Sequence, residues 1–407
     1  MFSTNHTIPI EELALRHSKC RALLARLYPQ AGGLMVCNRL SIYYLSGTFG
    51  KDMLWLPREG EPMLFARKGF ERAQLESPLK NIFSFRSYRD ITTLINDHGT
   101  GLPPVVAVEK NALTWGLAET FTKAFPGTEF IAGDAVLPQT RSRKTPWELN
   151  IIREATRRHN LAVRVDFPAN IHVGMSEKTL SRVLLNLCFD RGHSGHIRMA
   201  AHNEENYFGH VSVGTSGNYP TYFNGALGVQ GQNPSAPFMG SEDILWKKNT
   251  LLAVDPGFVF NGYNSDITQT FFSGAAADIP DTVKKAHQAC MDIESAVAAM
   301  LRPGAIPSAL YNHALRMADE AGFAKEFMGA GTNQVPFLGH GLGLALDEWP
   351  VLANRFDEPL EASMTIAIEP KIGIPGYGMV GTENTYEVTE GAAVALTSGA
   401  KDIICVA

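Results

Sequence analysis

Four acidic residues and one histidine sit in or beside apolar, β-rich runs of the last third of this chain, and any fold must satisfy them. They are Asp255 in LLAVDPGFVF, Asp266 in YNSDITQTFF, His340 in FLGHGLGLALDEWP, Glu369 in MTIAIEPKIGIPGYG and Glu383 in GTENTYEV. A carboxylate on an apolar strand needs a partner, because burying its charge alone is prohibitive. Asp255 and Asp266 stand eleven residues apart on either side of Asn261-Gly262, a two-residue hairpin signal. A two-residue turn there sets Asp255 opposite Thr268 and makes Asp266 its diagonal neighbour on the same sheet face, whereas a three-residue loop breaks that parity. Two carboxylates so placed repel unless a cation lies between them. Glu369 and Glu383 stand fourteen apart across Pro375-Gly376-Tyr377-Gly378. They share a face only through a loop of odd length or a bulge, and the glycines permit either. His340 lies among Gly339, Gly341 and Gly343, which allow close backbone approach beside the imidazole. The five side chains form a hard, oxygen-rich donor set suited to two divalent cations. Such a pair polarises a bridging water, so the pattern predicts metal-assisted hydrolysis.

The rest of the chain sets limits. Its 407 residues suit two domains of unequal size, with 45% hydrophobic and 19% charged residues. A net charge of −5 without a basic block argues against nucleic acid or an anionic membrane as partner. The five cysteines, Cys20, Cys37, Cys188, Cys290 and Cys405, form no CxxC pair. They read as reduced, buried or half-buried thiols of a cytoplasmic protein. The opening MFSTNHTIPIEELALRH has no apolar core of a secretory signal, and no run is long enough to span a bilayer. GHGLG at 339–343 lacks the GxGxxG spacing and no GxxxxGK[ST] occurs, so nucleotide binding is unsupported.

The first third alternates short β-rich runs (GLMVCN, SIYYLSG, DMLWL, PMLFA, PPVVAVE) with helical stretches such as IEELALRHSKCRALLARLY and GFERAQLESPL. Alternation of this kind predicts an α/β domain over residues 1–140. A boundary follows at RSRKTPWELNIIREATRRHNLAV, where Thr145 is an N-cap, Pro146 the first helical residue and Glu148 the partner in a capping box. Helices are expected from Asp281 to Leu301 and from Pro307 to Ala321, the latter ended by Gly322. The Gly/Pro-rich passage from about His202 to Gly240 is long for a connector, and is read as a loop over the site.

These motifs resemble the pita-bread metallopeptidase family M24, which includes methionine aminopeptidases, Xaa-Pro aminopeptidases and prolidases. NRLSIYYLSG and RSRKTPWELNIIREA are similar to the N-domain and linker signatures of its longer prolidase and creatinase-like members. The resemblance covers nearly the whole chain. It implies an α+β fold, with a creatinase-like N-terminal α/β domain (1–140) and a C-terminal pita-bread domain (141–407) built on a curved antiparallel sheet. By the same resemblance Asp255 chelates one metal, Asp266 and Glu383 bridge both, and His340 and Glu369 bind the second. Glu369 is also the general base; with His340 and Asp347 it makes up the candidate catalytic set. The metals implied are two of Mn²⁺, Co²⁺ or Zn²⁺, which such a donor set discriminates poorly. A homodimer is implied as well.

Three positions depart from the family pattern. A histidine usual seventeen residues before the first aspartate is Phe238, and one seven residues after the ligand histidine is Asp347. An arginine usual after the second aspartate is Gln269. Phe238 donates no hydrogen bond, and Asp347 brings a charge that a cationic substrate group can answer. His210, in YFGHVSVG, is expected to be a surface or structural histidine. The leading expectation is hydrolysis of an Xaa-Pro bond in a short peptide. The alternative is a creatinase-like or ectoine-hydrolase-like C–N hydrolase acting on a small amide. A non-enzymatic binding module is disfavoured, because clustered carboxylates without a purpose would cost stability.

Overall fold

The computed structural model describes residues 7–99, 101–201, 204, 206–397 and 401–406. The chain divides into two compact units, Met1–Arg141 and Ser142–Ala407. In the first, a six-stranded sheet comprises β1 (Gly33–Val36), β2 (Asp52–Pro57), β3 (Met63–Ala66), β4 (Asn81–Ser84), β5 (Val105–Val108) and β6 (Glu129–Ala132). Their order is β4-β3-β2-β1-β5-β6, with β1, β2 and β3 antiparallel and the outer pairings parallel. Met35, Trp55, Phe65, Val106, Phe121 and Phe125 form its core.

SIYYLSG, read as β-rich, is instead part of a helix, Arg39–Ser46. The side chain of Asn38 caps it by accepting from the amides of Leu40 and Ser41, and Gly47 closes it in the left-handed conformation. Two good caps outweigh the modest strand preference of Ile and Tyr.

The second unit opens with the expected helix, Pro146–Leu161, capped by the reciprocal Thr145–Glu148 box. Helices Asp281–Met300 and Pro307–Glu320 also form. Helix Glu177–Asp190 was not expected from the sequence, although Ser176 caps it and Leu180, Leu184 and Cys188 make a buried stripe.

The strands here are β7 (Gly209–Val213), β8 (Leu251–Phe260), β9 (Tyr263–Asp266), β10 (Gln269–Ser273), β11 (Phe337–Gly341), β12 (Glu348–Ala353), β13 (Thr365–Ile368), β14 (Lys371–Ile374), β15 (Gly378–Gly381), β16 (Asn384–Glu387), β17 (Val394–Ala395) and β18 (Ile404–Val406). One sheet runs β18-β10-β8-β7 with β9 also on β8, a second runs β12-β11-β13-β16-β17, and β14 pairs with β15. Of these pairings only β10 with β18 is parallel. The passage expected to be a loop is thus partly strand: its start supplies β7, while residues 202, 203 and 205 lie outside those described. Residues 1–6 of the N-terminal stretch do too.

Strand alternation sorts the side chains. Ile366, Ile368, Ile372 and Ile374 pack in one core with Val283, Ile293 and Val297 of the long helix. Glu369 and Lys371, at the intervening positions, point the other way. Leu252, Val254 and Phe258 likewise pack on Leu180 and Leu184, leaving Asp255 on the opposite face. All five cysteines are free thiols; Cys405 is exposed, not half-buried as expected, because its short strand lies at a sheet edge. Among the described residues no helix is long and apolar enough to cross a membrane.

Register around the first hairpin depends on the turn. Asn261 and Gly262 both have positive φ, 49° and 85°, as a tight primed turn requires. Gly262→Ala is expected to cost about 1 kcal/mol, because a β-carbon is disfavoured in that region. Urea denaturation checks this, with Asn261→Gly expected to stay near wild type.

Candidate metal centre

The Asn261-Gly262 turn pairs Phe260 with Tyr263 and Gly257 with Asp266. The same register continues to Gln269 opposite Val254 on β10, so Asp255 falls opposite Thr268. The Thr268 hydroxyl lies 2.8 Å from Asp255 Oδ1 and 2.8 Å from Glu383 Oε2. The second acidic pair obeys a similar rule. Ile368 pairs with Asn384 and Lys371 with Gly381, so one register runs through both ladders and sets Glu369 opposite Glu383. Its loop is the three residues Pro375-Gly376-Tyr377 between Ile374 and Gly378, the odd length that the even separation demanded.

His340, on β11 opposite Ala367, is fixed by its Nδ1–H donating to the carbonyl of Gly341 at 3.0 Å. Its Nε2 then faces Glu369 Oε1 at 3.4 Å, Asp266 Oδ2 at 3.7 Å and Glu383 Oε1 at 4.0 Å. All five residues therefore converge, and they line one cleft together with Met199, His210, Phe223, Phe337, Leu346 and Asp347. Donor atoms of Asp266, His340 and Glu383 lie within 4.8 Å of one another, and so do those of Asp255, Glu369 and Glu383.

One member of the cluster was missed in the sequence. Lys371 Nζ lies 2.5 Å from Glu369 Oε2, 3.0 Å from Glu383 Oε2 and 3.3 Å from Asp255 Oδ2, with its side chain 0% exposed. It is not among the residues that line the cleft. The signal was present: Lys371 follows Glu369 by two residues on an extended segment, which puts both on one face. Opposite it, Gly381 leaves room for the stem, since a β-carbon there would come within 2.7 Å of Lys371 Cγ.

Electrostatics follow from this packing. Burial alone would depress the Lys371 ammonium, but Asp255, Glu369 and Glu383 hold it well above its ordinary value. Burial would raise Asp255, yet Lys371 holds it below the usual carboxylate range. Burial, and then repulsion by Asp255, pushes Asp266 up. Burial and repulsion by Asp266 push Glu383 up in the same way. His340 is raised despite burial by Glu369 and Asp266.

The departures resolve differently. Asp347 lines the cleft half-buried, with Oδ1 accepting from the amide of Ala200 at 2.8 Å; burial raises its carboxyl. Phe238 is not among the cleft residues and packs edge-on against Tyr222. Gln269 is buried away from the cleft, where its Oε1 accepts from Arg164 at 3.0 Å and its Nε2 donates to the carbonyl of Asp402 at 2.9 Å. His210 is not at the surface. It lies on β7 opposite Asp255, is buried and lines the cleft. Its Nδ1–H donates to the carbonyl of Leu227 at 2.8 Å, and burial lowers it, leaving a neutral ring with its lone pair on Nε2.

Residues 150–390 match the family model of metallopeptidase family M24, and residues 16–143 match the creatinase/prolidase N-terminal domain. The chain belongs to metallopeptidase family M24. It is 24% identical to the Xaa-Pro dipeptidase of Pyrococcus furiosus over 91% of this chain and 94% of that one. Among solved structures it superposes on an Xaa-Pro dipeptidase from Bacillus anthracis with a TM-score of 0.79, at 20% identity over 97% and 99% of the two chains. The prolidase of Pyrococcus horikoshii gives 0.77 at 21% identity, over 96% and 100%. These structural likenesses establish the two-domain fold, creatinase-like followed by pita-bread.

Membership of M24 implies divalent metal ions, and the donor set answers differently on its two sides. On the side of Asp266, His340 and Glu383 the residues fit a cation: buried Glu383 Oε1 has no hydrogen-bond partner, Lys371 meets Glu383 at Oε2 instead, and among the described residues Asp266 forms an ion pair with the imidazole alone. On the side of Asp255, Glu369 and Glu383, the oxygens already face the Lys371 ammonium, and a second ion does not fit. Because burial raises Asp266 and Glu383 in the metal-free protein, a cation competes with protons. Affinity for Mn²⁺ is expected to fall as pH drops through the neutral range. Titration calorimetry in buffers of different ionisation enthalpy should show release of about one proton per ion; binding without proton release would contradict the assignment.

Proposed function

We propose that this M24 chain hydrolyses the amide bond of a short substrate, with an Xaa-Pro dipeptide as the leading class. The convergence of Asp255, Asp266, His340, Glu369 and Glu383 in one cleft carries this reading. Asp266, His340 and Glu383 would hold a divalent cation, Mn²⁺, Co²⁺ or Zn²⁺. That ion supplies Lewis acidity toward the scissile carbonyl and lowers the pKa of the attacking water.

The protein groups do the rest. Glu369 takes the proton of the water as its oxygen bonds to the carbonyl carbon, and returns it to the leaving nitrogen as the C–N bond breaks. Lys371, at 2.5 Å, holds the Glu369 carboxylate in place for that first step. His340, tied to the Gly341 carbonyl, presents Nε2 in one orientation. Phe223, Phe337, Leu346 and Val351 supply apolar walls, which suit a prolyl ring or an aliphatic side chain. The Xaa-Pro dipeptidase named among the relatives supports this substrate class.

A second reading rests on Asp347. Its Oδ1 is engaged by Ala200, leaving Oδ2 to meet a positive group of the substrate. Such a group is the free amine of a dipeptide, or an amine or amidine of a small amide carrying no proline.

Metal-stripped protein reloaded with Mn²⁺, Co²⁺ or Zn²⁺ is expected to cleave Xaa-Pro dipeptides, and to prefer them to Xaa-Pro-Yaa tripeptides. No cleavage of either by metal-loaded protein would shift the substrate to a small cationic amide. Glu369→Gln should lower kcat on the order of 10³-fold, the scale of general-base catalysis; a near-normal kcat would remove Glu369 from that role. Asp347→Asn should raise KM for substrates with a free amine, leave kcat within a few-fold, and have little effect on N-acetylated analogues.

A further inference from the structure

Metal sites built from four carboxylates ordinarily balance their charge with ions from solution. Here one positive charge is built into the chain. Lys371 Nζ touches three of the four carboxylates at 2.5–3.3 Å. A divalent first-row ion needs the same oxygens at about 2.0–2.2 Å, so it would come within roughly van der Waals contact of the ammonium. Like charges at that separation in a buried site repel strongly. The two cannot share the position.

We propose that the Lys371 ammonium permanently takes the place of one cation, so that the centre binds a single divalent ion, on the side of Asp266, His340 and Glu383. This deepens the hydrolase reading above and rests on it. Three features of the structure agree. The lysine side chain has no exposed surface and is enclosed with the three carboxylates it meets. Gly381, directly across the ladder, has no β-carbon, which would fall 2.6 Å from the Pro370 carbonyl oxygen and 2.7 Å from Lys371 Cγ. Lys371 donates to Glu383 Oε2 at 3.0 Å, while the buried Oε1 of the same carboxylate has no hydrogen-bond partner. One charge comes from the sequence and the other from solution. Asp255 thereby becomes a partner of lysine rather than a metal ligand, and Glu383 bridges ammonium and metal rather than two metals.

The test is metal stoichiometry with the whole chain, stripped with chelator, reloaded with excess Mn²⁺ and desalted. Elemental analysis of wild type is expected to give about one ion per chain, with an electron paramagnetic resonance spectrum lacking exchange coupling between ions. Lys371→Gly frees the position and should bind about two ions, with a coupled spectrum and a larger gain in Tm from Mn²⁺ than wild type shows. Lys371→Met keeps the volume without the charge and guards against a folding defect in the glycine variant. It should lower Tm in the metal-free state, since it leaves carboxylates unpaired. Two coupled ions in wild type would overturn the proposal while leaving a metal-dependent hydrolase intact. No bound ion in wild type would overturn both.

Discussion

Four carboxylates confined to one buried cleft repel each other, and the second unit is arranged around meeting that cost. Burial and proximity would force some of them to take up protons. The structure answers with an internal ammonium at 2.5–3.3 Å from three of them and an imidazole facing the fourth, Asp266, and Glu369 as well. Two hairpin registers set the pattern. Each brings a pair of acids to one face of a ladder whose other face is sealed by helices, so the charges are held by strands that cannot slip without exposing isoleucines and phenylalanines. Affinity for a cation and stability of the fold thus draw on the same geometry.

Much of this was legible in the sequence, for local reasons. Asn-Gly fixes a two-residue turn, so the positions of Asp255 and Asp266 followed from counting. The Thr145–Glu148 box and Gly322 marked helix ends because capping is a matter of adjacent residues. What escaped depended on longer range or on competing signals. SIYYLSG has strand-like composition, but Asn38 and Gly47 cap it as a helix. His210 looked like an incidental histidine until β7 set it beside Asp255. Lys371 was within reach of the same alternation argument used for the acids. A lysine two residues from a glutamate on a strand usually points to solvent, whereas here it meets Asp255 of β8 and Glu383 across the ladder.

The positions that depart from the family pattern separate into two kinds. Asp347 stays in the cleft, and so changes what the cleft can bind. Phe238 and Gln269 face elsewhere; Gln269 receives Arg164, which also donates to Asn384 on β16 at 3.0 Å. Arg164 thus ties the segment after the first hairpin to the segment after the second, next to Asp266 and Glu383 in sequence. Substitution there changes how the acidic strands are braced rather than what touches substrate.

Whether this centre pairs one lysine with one metal is most directly tested by a crystal structure of Mn²⁺-soaked protein with anomalous scattering data. A single anomalous peak is expected among Asp266, His340 and Glu383, with Lys371 Nζ ordered among Asp255, Glu369 and Glu383. Two peaks bridged by Asp266 and Glu383, with Lys371 displaced, would contradict it.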